Sequence, residues 1–424
     1  MKQYNIVDFG ARCSDRLQTE MIQRALDTCF LEGGGMVVIP RGIYMTGGLR
    51  LRSNTTLKLE AGAVLRGSRD PNDYCAWKDD QIEPIVEYQD EHPVRSAYPY
   101  SRWNNAIIRA LDAHDVAIVG EPGSFIDGRN CFDELGEEKY RGPHAINMWN
   151  CENLTLEGYT ITDSANWAHA IFNTNNITVR NVTVYGGHDG LDIRTCDNVL
   201  IEDCTFLTGD DAIAGFDNRD VIIRRCHMDS SCSALRFGGT RVLVEDCTSS
   251  SPTSFGFRQK LSYEAKRNGD MPNEECRHFM RQFFNYYCDF RAEIRETPGD
   301  IVIKNCEIAD PSRLLSLDFD GGHIWCCNRS LRSIRFENCR VTDVERPINI
   351  YGDANEPLIM ELCNVTLSAK KGFEDAAIIE AKNFERITLN NVTYNGFSDP
   401  RVVMITEGIM DGDCTPRIEK NNNA

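Results

Sequence analysis

The sequence predicts an all-β chain wound as a parallel β-helix of about 22 residues per coil, with one N-terminal capping helix. Three observations predict it. One short apolar sentence recurs along the chain. Each copy closes on Asn, Asp or Gly turn chemistry. A helical stripe of apolar residues precedes the first copies.

The repeat reads "ENLTLEGYTI", "NNITVRNVTV", "DNVLIEDCTF", "RDVIIRRCHM" and "TRVLVEDCTS". Its aligned apolar residues are Leu154, Ile177, Val199, Val221 and Val242, at steps of 23, 22, 22 and 21. Later copies lie at 300, 333 and 386, and weaker ones at 53 and 114. Alternating apolar positions make each copy a strand with one buried face. One copy cannot bury that face alone, whereas stacked copies can. A propeller blade needs roughly 40 residues, and the spaced leucines of a leucine-rich repeat are missing.

Cys204, Cys226, Cys247, Cys306 and Cys339 hold one place in their copies, which predicts a ladder of small buried thiols. Asn305 and Asn338 precede that cysteine, as Asn181 precedes Val182, and read as turn residues. The open N-terminal end needs a cover. Met21, Ile22, Ala25, Leu26, Cys29 and Phe30 form a helical stripe, with Ser14 or Asp15 to cap it and three glycines to stop it. The tail "RIEKNNNA" reads as frayed. We therefore expect a single domain over 1–424, with cap and first coil in 1–45.

The rhythm breaks over residues 251–300, a basic and aromatic insertion expected to project beside a cleft. Within it "ECRHFMRQFFNYYCDF" predicts a short amphipathic helix. The stretch 79–103 is expected to form a second wall.

Net charge is −18, which argues against nucleic acid and anionic membranes as partners. No window approaches a membrane span, and "MKQYNIVDFGARCSD" has no apolar signal core, so a cytoplasmic location is expected. Eighteen cysteines without a Cys-x-x-Cys pair then read as thiols, with no metal site and no cofactor.

Within "FLTGDDAIAG", Asp210 and Asp211 are adjacent, and Asp189 lies 22 residues before Asp211. One coil separates that pair, so the fold predicts stacking at about 4.8 Å. Turn aspartates or a calcium site would also use carboxylates. Crowded acids favour glycosidic cleavage, in which one carboxyl donates a proton and another activates water.

"YNIVDFGA", then "GGGMVVIPRGIYMTGGLRLRSNTTLKLEAGAVLRGSRDPNDY", then "GLDIRTCDNVLIEDCTFLTGDDAIA" resemble glycoside hydrolase family 28, the polygalacturonase family, from about residue 4 to about 250. The resemblance implies a right-handed helix and metal-free hydrolysis with inversion. It implies Asp210 as general acid and Asp189 and Asp211 as bases. The first acid sits here in "GHDG", where the family has Asn-Thr-Asp-Gly. Ser231–Cys232–Ser233 stands in place of the family's Gly-His-Gly. For the family's Arg-Ile-Lys the nearest match is Arg258–Gln259–Lys260, which makes Arg258 and Lys260 candidates to hold a substrate carboxylate. His188, His169 and Arg236 are further candidates for contacting substrate; Trp103, Trp167, Tyr98, Tyr100, Tyr286 and Tyr287 could stack on sugar faces.

The expected partner is an oligosaccharide of pectin type, cut by exo action. The alternatives are a glycosidase for neutral sugars, a β-helix polysaccharide lyase, and a carbohydrate-binding β-helix without activity.

Overall fold

The computed structural model describes residues 1–74, 99, 101–258, 277–289, 293–320 and 328–405, and the backbone of 417–421. The contacts divide the chain into two compact units, Met1–Asp210 with Phe255–Arg277, and Asp211–Ser254 with His278–Ala424.

In the first unit each coil contributes three short strands. His144–Trp149, Glu152–Glu157 and Thr160–Thr162 form one coil. The next two are His169–Phe172, Asn175–Arg180 and Thr183–Gly186, then Leu191–Arg194, Asp197–Glu202 and Thr205–Thr208. All pair in parallel, and Leu154, Ile177 and Val199 fall opposite one another as the repeat predicts. The weak copies also pair, Leu57 against Ile118. Leu156, Val179 and Ile201 point inward with them and are fully buried. Each such side chain contributes about 1.5–3 kcal/mol by leaving water.

The second unit repeats the scheme. Val221, Val242, Ile301, Ile334, Met360 and Ile387 succeed one another in register. The coil at Leu358–Cys363 escapes the sequence reading because "EPLIMELC" opens without the Asn or Asp turn of the other copies.

Corner chemistry explains the asparagines. Asn181, Asn305 and Asn338 have φ of 52°, 55° and 53°, a left-handed conformation that asparagine tolerates better than most side chains. In the second unit the corner amides form a ladder: Asn305 donates to Asp246 at 3.0 Å, Asn338 to Asn305 at 3.2 Å, Asn364 to Asn338 at 3.0 Å and Asn391 to Asn364 at 2.8 Å. The thiol ladder holds too. Cys226, Cys247, Cys306 and Cys339 are buried, each donating to the carbonyl two residues earlier at 3.2–3.4 Å. Cys204 does the same in the first unit, and the described cysteines are free thiols.

Three local expectations are corrected. The capping helix spans Thr19–Leu31 and buries Ile22, Ala25, Leu26 and Cys29, but its N-cap is Gln18, without a side-chain bond. Ser14 instead accepts from the Gln18 amide, which fixes the approach to the helix. Phe30 lies exposed, while Gly33 and Gly34 end the helix at φ of 93° and 102°.

The stretch expected to be helical contains the strand Gln282–Tyr286. It pairs with Ser233–Glu245 on one side and Arg313–Asp318 on the other, with Phe284 between Leu235 and Leu315. Phe283, Phe284 and Tyr286 are buried there, so coil pairing overrides the helical pattern. Residues 282–286 and 299–304 are therefore coil, and the insertion is shorter than 251–300. In the first unit it leaves and returns at one point, where the Phe257 amide donates to the Arg277 carbonyl at 2.8 Å.

The tail is not all frayed: Arg417–Asn421 pairs in parallel with Phe384–Asn390, because a sheet edge offers it unpaired amides and carbonyls. Among the described residues no helix is long and apolar enough to cross a membrane.

Candidate active site

Asp210 follows the strand Thr205–Thr208 at the end of the first unit. Its turn requires Gly209. A Cβ there would lie 2.1 Å from the Gly256 carbonyl oxygen and 2.6 Å from that of Gly187. The Gly209 amide donates to Gly186 at 2.8 Å, and the Thr208 hydroxyl donates to the Asp210 carbonyl at 2.8 Å. Gly187, a departure from the family pattern, is thus part of the packing that seats Asp210.

The Asp210 carboxylate is buried, and two guanidinium groups face it. Arg258 Nε donates to Asp210 Oδ2 at 2.8 Å, and Arg141 Nη2 lies 3.8 Å from the same oxygen. Arg258 Nη1 also pairs with Glu138. Arg141 Nε lies 3.8 Å from Glu138 Oε2, and Arg141 Nη1 donates to Asn166 at 3.2 Å. Burial opposes the Arg258 charge, but Asp210, Glu138 and Asp189 outweigh it and raise its pKa. Asp189 is buried in the same electrostatic neighbourhood.

His188 is buried, with its ring stacked on Tyr140 at 5.9 Å. Burial, then Arg141, push its pKa well below the usual histidine range, so it is a neutral ring. Its Nδ1 has no hydrogen-bond partner among the described residues.

His169 does not join this group. The register sets Ala170 opposite Asp192, so Trp167, not His169, lies one coil before Asp189. The His169 ring is fully buried, with Nε2 at 3.0 Å from the Tyr159 hydroxyl and Nδ1 at 2.8 Å from the Gly190 carbonyl. Burial lowers its pKa to about 4. It is a neutral histidine satisfied within the scaffold.

The second unit holds Asp211 and Arg236. Arg236 lies opposite the strand residue Ala214, one coil on, as the spacing predicts. Its Nε donates to Asp211 Oδ2, and both side chains are buried. The guanidinium also lies over the Tyr287 ring at 4.4 Å, a cation–π contact.

Lys260, Tyr98 and Tyr100 fall outside the described residues. Trp103 and Trp167 are buried and meet edge-to-face at 4.8 Å; Tyr286 and Tyr287 are buried as well. None of these four presents an open face to a sugar. Sequence reasoning missed Glu138, Arg141 and Tyr140. They lie in "CFDELGEEKYRGPH", outside the repeat, where no periodicity marks them. It also missed the buried pair of Arg194 with Asp192, bidentate at 2.8 and 2.9 Å.

Residues 144–263 match the family described as a right-handed β-helix region. The chain is 28% identical over 257 residues to a probable polygalacturonase of Vitis vinifera, covering 54% of this chain and 50% of that protein. It is 25% identical over 270 residues to an exo-poly-α-D-galacturonosidase of Dickeya chrysanthemi, covering 50% and 41% respectively. The chain thus spans half the length, or less, of these curated relatives. Among solved structures it resembles a hyperthermoactive exopolygalacturonase of Thermotoga maritima, with a TM-score of 0.68 and 18% identity over 93% of this chain and 92% of that one. At that identity the likeness speaks for the fold. Fold and named sequence relatives agree: the chain is similar to polygalacturonases, and a divergent member of glycoside hydrolase family 28 fits both.

Proposed function

We propose that this protein is an inverting glycoside hydrolase acting from one end of galacturonate-containing oligosaccharides. The observation that carries the reading is the buried Asp210 side chain, seated on a glycine-only turn in the same electrostatic neighbourhood as a second buried acid, Asp189. Asp210 would protonate the leaving oxygen, and Asp189 and Asp211 would activate water. Cleavage with one carboxyl as acid and others as base requires no metal or cofactor. The names of the sequence relatives support both the substrate class and exo action. Arginine suits a carboxylate-bearing sugar because its planar fork matches a carboxylate. In a chain of net charge −18 such local cations must offset the general field. The free thiols fit a reducing compartment, which supports a cytoplasmic enzyme fed with imported oligosaccharides.

The test is product analysis on oligogalacturonides. Release of saturated monomer or dimer of inverted anomeric configuration, lost in Asp210→Asn, supports the reading. An unsaturated product absorbing in the ultraviolet would make the protein a lyase. Absence of turnover with retained sugar binding would make it a binding protein.

A further inference from the structure

Arg258 is shared between two carboxylates of its own chain. Its Nε holds Asp210 at 2.8 Å, and its Nη1 holds Glu138. The second contact joins two residues with left-handed backbone. Glu138 has φ 55° and Arg258 has φ 47°, so both partners sit in the left-handed region that β-carbon-bearing residues avoid. Strain of this kind persists where the surroundings over-determine it, and often where function uses it. Glu138 is also reachable, its side chain being 27% exposed, whereas Asp210 is 6% exposed.

A carboxylate in contact with the Arg258 guanidinium is what an anionic sugar would also supply. Asp210 is fixed by its glycine turn, whereas Glu138 rests on an irregular segment between Gly136 and Tyr140. Of the two, Glu138 is the one a ligand could replace. We infer that Glu138 is an internal carboxylate that competes with the substrate's carboxylate for Arg258, and so sets the selectivity for anionic over neutral sugars. The inference rests on the proposed substrate class. A ligand binds in proportion to the fraction of molecules in the competent state, so a guanidinium occupied nine-tenths of the time weakens anionic ligands about tenfold. Neutral sugars, which have no claim on the guanidinium, escape that factor.

The experiment is calorimetric titration of the full chain and of Glu138→Gln with galacturonate, digalacturonate and galactose. Glu138→Gln keeps size and removes charge; Glu138→Ala serves as a second variant, with circular dichroism to confirm folding. The expected result is about tenfold tighter binding of the two uronates in both variants, with galactose unchanged. Weaker uronate binding would show that Glu138 holds Arg258 in place for the ligand, and would overturn the inference. Equal changes for all three sugars would overturn it as well. The proposed hydrolysis is judged separately: wild-type protein that binds uronate without cleaving oligogalacturonides refutes the hydrolase reading and leaves the competition measurable.

Discussion

Replacing Arg236 by Met removes a buried cation and keeps most of its apolar stem. The partner left behind is Asp211, whose side chain is 3% exposed. Removing the guanidinium from a buried ion pair costs about 3–5 kcal/mol, because the carboxylate left behind keeps its desolvation penalty and loses this compensating charge. The contact with Tyr287 at 4.4 Å adds about 0.5–2 kcal/mol. Arg236→Met should therefore lower stability by about 3.5–7 kcal/mol. The double variant Asp211→Asn/Arg236→Met should be far less damaged than the sum of the singles, since it strands no charge. The assay is urea unfolding followed by circular dichroism, with the four proteins forming a double-mutant cycle. A coupling of about 2 kcal/mol or more is expected. Arg236→Met within 1 kcal/mol of wild type, or single effects that simply add, would refute the claim that Arg236 is the counter-ion of Asp211.

Asp210→Asn should reduce turnover by about a hundred- to ten-thousand-fold, measured as reducing ends released, with an unchanged circular dichroism spectrum. His169, with its pKa lowered to about 4 by burial, takes up a proton later in the folded chain than in the unfolded one, where it titrates near 6.5. Its contribution is whole above about pH 6.5 and is lost as pH falls towards 4, by about 3 kcal/mol in total; His169→Gln should flatten that limb of a stability–pH curve. Asn338→Ala removes two corner bonds, of 3.2 and 3.0 Å, and puts a less tolerant residue at φ 53°. It should cost about 2 kcal/mol, and Asn338→Gly about 1 kcal/mol less, read from urea midpoints.

The sequence by itself determined the scaffold. A strand of a parallel stack carries its burial pattern in its own alternation, and its coil length in the spacing of Leu154, Ile177 and Val199. The corner asparagines and ladder cysteines were legible for the same reason, since each is a local requirement repeated at a fixed interval. The acids stood out for the same reason, because Asp210 and Asp211 adjoin and Asp189 lies one 22-residue coil before Asp211. Tertiary structure decided what depends on register and on segments outside the repeat. A two-residue error in coil spacing separates His169, satisfied by Tyr159 and Gly190, from the face that carries Asp189. The helical pattern around Phe283 gave way because strands on both sides offered it pairing and burial. Arg141 reaches Asp210 from 69 residues away in sequence and Glu138 reaches Arg258 from 120, and nothing periodic announces them. Ion pairs of that kind are set by three-dimensional convergence of side chains, which composition and spacing along one strand do not encode.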